Sequence, residues 1–454
     1  MYRIMSKKRT TLQKLKMGLA SLLLAIIPCS FSAQQQISLQ EAIKQALQNK
    51  AEAKKAELKI RKAEYRIREA KAGMLPQISG SANLSYDPVI QESLLQFGGE
   101  KIRATMGQTW NSGASVSLNQ ALYDQSVFIG LKAAATTREF YIINTRITSE
   151  QLIENVATAY YKVLVQEENL KTIQESYTNT EKVRAIIKSL VESGLSKKID
   201  LERTTVQLTN IGSDRQRQIN SLELSKNSLK FYMGIPIESE IELEEKSIET
   251  RPELMMSTPD MENRSELKSL IKQKQLLQYS KESTKANLYP TVSLQAKYGW
   301  AGMGAHFPFT NGYGNGVLWS DYSSIGLNIK VPIFSGGATK AKIQQAEIDI
   351  LNADQDIANE KLNLDLEYKN AVANMENSLI NIESMKNNVL LAEKVQKDSR
   401  SNYQYGLATL TEVLDAEKSL TEAKQNHANA LLDYRQAEIQ LIKSRGELNT
   451  LQNP

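Results

Sequence analysis

Residues 291–300 read Thr-Val-Ser-Leu-Gln-Ala-Lys-Tyr-Gly-Trp. Val292, Leu294, Ala296, Tyr298 and Trp300 fall on one side of an extended chain, and Ser293, Gln295 and Lys297 fall on the other. This follows because successive side chains of a strand point to opposite faces. Three more segments carry the same alternation. Ile78, Gly80, Ala82, Leu84 and Tyr86 oppose Ser79, Ser81, Asn83 and Ser85. Trp110, Ala114, Val116 and Leu118 oppose Ser115, Ser117 and Asn119. Ile325, Leu327, Ile329, Val331 and Ile333 oppose Ser324, Asn328 and Lys330.

Alternation over about ten residues fits strands that cross a bilayer, apolar toward lipid and polar toward a lumen. A soluble sheet with one wet face would alternate in the same way. Two features favour the membrane. Trp110, Trp300 and Trp319, the only tryptophans, lie in or beside these segments together with Tyr86, Tyr123, Tyr289, Tyr298, Tyr322 and Phe334, as interface girdles require. The polar faces are mostly Ser, Asn and Gln, which a water-filled lumen tolerates. Four strands cannot close a membrane barrel, since such barrels begin at about eight strands. Two, three or four chains pooling strands would reach on the order of eight to sixteen, and the pattern does not choose among them.

Between the strand segments lie very long helical stretches. No proline occurs from 89 to 235 or from 333 to 453. Leu152, Val156, Tyr160 and Val163 recur at three and four residues, as do Val372, Met375, Leu379 and Ile382, which is amphipathic, coiled-coil-like spacing. An uninterrupted helix from Ser126 to Glu192 would be roughly 100 Å long. Such length requires packing against neighbours along all of it.

The chain also repeats itself. Asn49-Lys50-Ala51-Glu52 returns as Asn263-Arg264-Ser265-Glu266, Leu75-Pro76 as Tyr289-Pro290, Ala121-Leu122-Tyr123-Asp124 as Pro332-Ile333-Phe334-Ser335, and Gly194-Leu195-Ser196 as Gly406-Leu407-Ala408. Four landmarks in one order at near-constant spacing predict two copies of one unit. Residues 33–250 form the first, with its hairpin tip near 194–200. Residues 251–454 form the second, with its tip near 406–415. Each copy runs helix (about 38–72, then 261–287), two strands around a polar, Gly-rich loop, then a long helical hairpin. Gly194 and Gly406 let the chain reverse at the two tips.

Residues 1–32 read as a secretory signal peptide: a basic start, an apolar run from Leu19 to Ile27, and Ser30 and Ser32 at small-x-small spacing. The formal charge of +5 resides there. Six basic side chains and no acidic one lie in the first 33 residues, leaving 50 basic and 51 acidic beyond them, so nucleic acid is not an expected partner. Cys29 is the only cysteine, and cleavage near Ser32 leaves no thiol chemistry. No stretch beyond the leader is apolar enough for a transmembrane helix, and the mean hydropathy is −0.40, so a crossing must be a closed barrel.

The landmarks Ser38-Leu39-Gln40-Glu41-Ala42-Ile43, Leu75-Pro76, Tyr289-Pro290, and above all Tyr405-Gly406-Leu407-Ala408-Thr409-Leu410-Thr411-Glu412-Val413-Leu414-Asp415-Ala416-Glu417 resemble the outer membrane efflux proteins of the TolC type. The resemblance implies a homotrimer in outer membrane lipid. Its mixed fold would be a shared twelve-stranded transmembrane β-barrel, four strands per protomer, continued by an α-barrel of twelve packed helices. The role implied is a passive exit duct for efflux or secretion, joined by a periplasmic adaptor to an inner-membrane transporter. It also implies that Glu412 and Asp415 form the tip constriction, that Asp200 and Tyr403 hold the tip shut, and that the turns Gly194-Leu195-Ser196 and Gly406-Leu407-Ala408 meet the adaptor. Some relatives carry a lipid on an N-terminal cysteine, but Pro28 before Cys29 makes a poor lipidation site. The position often basic in the best-known member is Ala408 here, so part of the lock is missing or Lys197 or Lys198 replaces it.

No enzyme is expected and no cofactor is implied. His306 and His427 have no His or Cys partner at ligand spacing, and no phosphate-loop, dinucleotide or nucleophile-elbow motif occurs. The competing reading is a periplasmic coiled-coil adaptor or scaffold, which would have one hairpin and not two with four strands.

Overall fold

The computed structural model describes residues 36–244, 261–309 and 316–452. The predicted leader, Cys29 and the centre of the 302–316 loop lie outside the described residues. The chain begins with α1 (Leu39–Asn49) and α2 (Ala51–Ala72), followed by β1 (Gln77–Tyr86), β2 (Glu92–Phe97), β3 (Glu100–Thr105) and β4 (Trp110–Tyr123). Then come α3 (Gln125–Glu192), α4 (Lys198–Met233), α5 (Ser265–Ala286), β5 (Thr291–Gly304), β6 (Val317–Lys330), α6 (Ala338–Gln404) and α7 (Leu410–Ser444).

The first helical stretch differs from the expectation of one run over 38–72. Lys50 is extended, with ψ 135°. Its Nζ donates to Phe231 O at 2.9 Å and stands 3.3 Å from the centre of the Phe231 ring. The turn after α4 presses Gly234 (φ +70°) against this break, and a Cβ there would come 3.0 Å from Lys50 N. Contacts across some 180 residues thus break a helix that local propensity would continue. The loop between the first two strand segments also differs, because it holds the hairpin β2–β3. Its turn is Gly98-Gly99, both at positive φ, as a two-residue hairpin loop requires.

The main sheet runs β1-β4-β5-β6, all antiparallel. Register keeps the alternating faces aligned across all four strands. Ala82 pairs with Ala114, Ala114 with Trp300, and Trp300 with Asp321. On the other face Ser79 pairs with Ser117, Ser117 with Lys297, and Lys297 with Ser324. Ser79 and Ser117 share a hydroxyl hydrogen bond of 2.9 Å, and Ser81 and Ser115 one of 3.0 Å.

α3 spans 68 residues and α6 spans 67. They pack antiparallel with α4 and α7 as two hairpins, and α3 also touches α7, joining the hairpins. The apolar core lies midway along α3. Ile153, Val156, Tyr160 and Val163 meet Ile43 and Ala46 of α1, Leu229 and Met233 of α4, and Ile439 and Ile442 of α7. Tyr160 Oη donates to Ile37 O at 3.0 Å, tying the strap before α1 to this core. A second cluster joins Met375 and Ile382 of α6 to Tyr434 and Leu441 of α7.

The chain exposes 30342 Å² for its 50.9 kDa. A globular monomer of that mass exposes about 17,000 Å². The excess includes Ile325 at 83%, Leu362 at 72% and Ile380 at 68% exposed. These side chains lie on the sheet's apolar face and along α6.

Candidate functional site: the hairpin tips and the apolar sheet face

Both tips are built by one backbone device. After α3, Gly194 lies at φ +74°, its N–H donates to Val191 O, and Leu195 N–H donates to Leu190 O at 2.7 Å. After α6, Gly406 lies at φ +72°, its N–H donates to Tyr403 O, and Leu407 N–H donates to Asn402 O at 2.8 Å. This paired bonding around a left-handed glycine satisfies the last carbonyls of each helix. Leu195 and Leu407 follow the glycines and are each 77% exposed, so each turn projects one leucine into solvent beside Ser196 or Ala408.

The helices leaving the turns begin differently. Thr409 caps α7, its hydroxyl accepting from Glu412 N–H at 3.3 Å and donating to Glu412 Oε1 at 3.1 Å. Glu412 is therefore partly engaged in capping, whereas Asp415 one turn on stands exposed. In α4, Asp200 lies in the first turn and its Oδ2 accepts from Ser196 Oγ at 3.4 Å.

Asp200 and Tyr403 belong to different hairpins, yet the fold brings them together. Burial pushes the Tyr403 phenol above its ordinary value, and the Asp200 carboxylate adds to that rise. A second crossing joins the same two hairpins: Arg203 Nη1, one turn beyond Asp200, donates to Thr411 Oγ1 at 3.3 Å. Lys198, one of the two lysines expected to replace the basic residue missing at Ala408, instead faces Glu202 on its own helix at 3.8 Å. The sequence signal for Arg203 was a basic residue on the Asp200 face of α4, but nothing local marked Thr411 as its partner.

Above the tip the seam between the hairpins is polar. Asn169 of α3 donates to Asn429 of α7 at 3.4 Å. Glu417 of α7, buried, accepts from Asn179 of α3 at 3.2 Å and from Gln396 of α6 at 2.8 Å. Lys424 of α7 reaches Glu175 of α3 at 3.3 Å and Glu393 of α6 at 3.8 Å.

At the far end the sheet gathers its aromatics. Tyr86 and Trp110 are 4.7 Å apart, Trp110 and Phe307 5.0 Å, Phe307 and Phe309 5.7 Å, and Phe309 and Trp319 6.0 Å, ring centre to ring centre. Tyr298 and Trp300 form an edge-to-face pair at 4.8 Å. Trp319 lies over Gly302, where a Cβ would come within 2.8 Å of the indole, so glycine is required for the ring to seat. By register Trp110, Trp300, Trp319 and Tyr298 share the face of Ile78, Val116 and Ile325. Toward the helices Tyr123, Tyr289 and Phe334 are exposed. Among the described residues no helix is long and apolar enough to cross a membrane.

A family model described as outer membrane efflux protein matches residues 42–234 and 261–447. The chain belongs to this family. It is similar to the outer membrane protein TolC of Vibrio cholerae, at 24% identity over 341 residues, covering 74% of this chain and 77% of that protein. It is similar to the proteases secretion protein PrtF of Dickeya chrysanthemi, at 22% identity over 441 residues, covering 95% and 92%. The crystal structure of the outer membrane protein VceC from Vibrio cholerae shares the fold, with a TM-score of 0.69 at 18% identity over 90% of this chain and 96% of that one. This outer membrane efflux protein is therefore a TolC-like channel protein of the outer membrane, with its helices extending into the periplasm. The adaptor alternative is not favoured.

Proposed function

We propose that three copies of this chain form a passive exit duct, and not an enzyme, in the outer membrane. The observation that carries this is the four-stranded sheet. Its apolar face is exposed and in register from β1 to β6, and β1 and β6 each have one edge without a strand partner among the described residues. Lipid tolerates neither an open edge nor an exposed polar face, so closure by neighbouring copies satisfies both. Three copies would share twelve strands, as the family resemblance implies. The four helices of each protomer's two hairpins would continue the barrel as an α-helical tunnel, and the duplicated order of elements supplies each protomer with two similar wall segments. The apolar side chains left exposed on α6 would then be covered by neighbours.

In this reading Trp110, Trp300, Trp319 and Tyr298 sit at the outer membrane–water interface. Glu412 and Asp415 ring the tip mouth and favour cations. Asp200 with Tyr403, joined by Arg203 with Thr411, holds the two hairpins of a protomer together at that mouth. The exposed leucines of the two turns, and the open groove between α4 and α7 lined by Gln207, Asn210, Asp214, Lys418, Glu422 and Gln425, offer the surface for a helical periplasmic adaptor. That adaptor would couple the duct to an inner-membrane efflux or secretion transporter.

The test is electron microscopy and mass determination of the detergent-purified mature protein. The expected result is a hollow three-fold cylinder well over 100 Å long, with three times the chain's mass. Compact or thin monomeric particles, soluble without detergent, would overturn the reading.

A further inference from the structure

The four strands distribute charge unequally between their faces. The apolar face carries one charged side chain, Asp321, whose Oδ2 accepts from Tyr298 Oη at 3.3 Å. The polar face carries Lys297 and Lys330 and no carboxylate within the strands. Lys297 sits in mid-strand, paired with Ser117 on one side and Ser324 on the other, and Lys330 closes β6 opposite Thr291. The six positions from Thr291 to Lys297 separate the two levels by about 20 Å along the strand. Both lysines are exposed. Among the described residues neither has a carboxylate partner. Lys297 Nζ stands 5.4 Å from the centre of the Tyr322 ring, which attracts the cation without neutralising it. The acidic side chain at the far rim of this face, Asp87, is held by Asn111 at 2.9 Å.

We propose that Lys297 and Lys330 line the barrel lumen as two cationic tiers, so that the barrel portion of the duct favours anionic solutes: molecules bearing carboxylate, sulfonate or phosphate groups. This rests on the barrel reading above. Repetition by symmetry turns each lysine into a ring, and rings of Lys in a pore favour anions as rings of Asp or Glu favour cations. The low-dielectric wall concentrates counter-ions near those rings. The tip, with Glu412 and Asp415, then carries the opposite sign. An anion that has passed the tip meets an attractive field on its way out. The effect is strongest at low salt, because the screening length is about 30 Å at 0.01 M and about 8 Å at 0.15 M.

The experiment uses the full mature channel in planar bilayers under a gradient of dilute potassium gluconate. The tip carboxylates are replaced throughout (Glu412→Ala, Asp415→Ala) so that they do not dominate. Adding Lys297→Gln and Lys330→Gln should lower the gluconate-to-potassium permeability ratio roughly two-fold or more. Lys297→Arg with Lys330→Arg should keep it, and should show that the lysine positions tolerate substitution. An unchanged ratio in the Gln variant, at unchanged conductance, overturns the proposal. A separate labelling test addresses the face assignment. In intact outer membranes a membrane-impermeant maleimide should modify Lys297→Cys and spare Ile325→Cys. The reverse pattern would overturn the barrel reading itself, and the charge proposal with it.

Discussion

Replacing Glu417 by alanine removes an acceptor shared by three helices. The carboxylate of α7 takes one hydrogen bond from Asn179 of α3 at 3.2 Å and one from Gln396 of α6 at 2.8 Å. A hydrogen bond to a charged group contributes about 1.5–3 kcal/mol net, and only the one from Asn179 crosses the α3–α7 seam. Its loss is worth about 2 kcal/mol, and since each tenfold is about 1.4 kcal/mol, that seam should open roughly 30-fold more often. Hydrogen–deuterium exchange reads this directly, because local opening sets the exchange of amides in the first turns of α7. Amides between 410 and 425 should exchange roughly 30-fold faster in Glu417→Ala, while those of the core near Val156 and Leu229 keep their protection. Glu417→Gln, which keeps the shape and one acceptor, should fall between. If the alanine variant exchanges at the wild-type rate throughout 410–425, the bonded amides contribute nothing net and the seam is held by its other contacts, Asn169 with Asn429 and Lys424 with Glu175 among them.

Gly406→Ala should lower the melting temperature by an amount worth about 1–2 kcal/mol, because φ is +72° there and an added Cβ meets no atom within 4 Å, so only backbone strain acts. Gly212→Ala within α4, with ordinary helical φ and an added Cβ in ordinary contact with Tyr177 at 3.6 Å, should raise it by up to about 1 kcal/mol, and equal signs would refute the turn argument. Arg264 is 2% exposed and pairs with Glu266 at 3.0 Å and Glu367 at 3.4 Å; both carboxylates reach solvent, so Arg264→Met should cost about 1.5–3 kcal/mol in thermal or denaturant unfolding. Burial alone would raise the Glu266 carboxyl, but the hydrogen bond and charge of Arg264 outweigh it and hold it below its ordinary value. Its contribution is therefore complete above the ordinary carboxylate range and lost as pH falls through the lowered value. Melting temperature should drop on acidification below about 4, and less steeply in Glu266→Gln; parallel pH profiles would show that this pair does not govern the acid response. Ile325→Lys on the apolar sheet face should impair outer membrane assembly by about 2–4 kcal/mol, while Ser324→Lys on the opposite face should assemble normally, as judged by the fraction recovered in outer membranes.

Legibility in the sequence followed the range of the forces involved. The alternation in 78–86, 110–118, 292–300 and 325–333 is written by neighbours two apart, and it located the four strands of the main sheet. The absence of proline and the three–four spacing located α3 to within a residue of its ends, because helix hydrogen bonds span four residues. Gly194 and Gly406 announced their turns because only glycine enters left-handed backbone without strain. The β2–β3 hairpin is equally local, but its short strands alternate poorly, with Leu94 beside Leu95, and they lie in what the sequence pattern gives as a polar, Gly-rich loop.

What only the tertiary structure decided joins residues far apart in the chain. Nothing near Lys50 signals a break, because the ring and carbonyl that hold it belong to Phe231. Asp200 meets Tyr403, Arg203 meets Thr411, and Glu417 meets Asn179 across more than 200 residues, so no period in the sequence could register them. The sequence by itself determined which segments are helix, strand and turn, since those rest on backbone bonding and side-chain spacing within a few residues. The order β1-β4-β5-β6 and the polar seam between the hairpins were decided by packing, because they depend on which distant surfaces become neighbours once the chain has closed on itself.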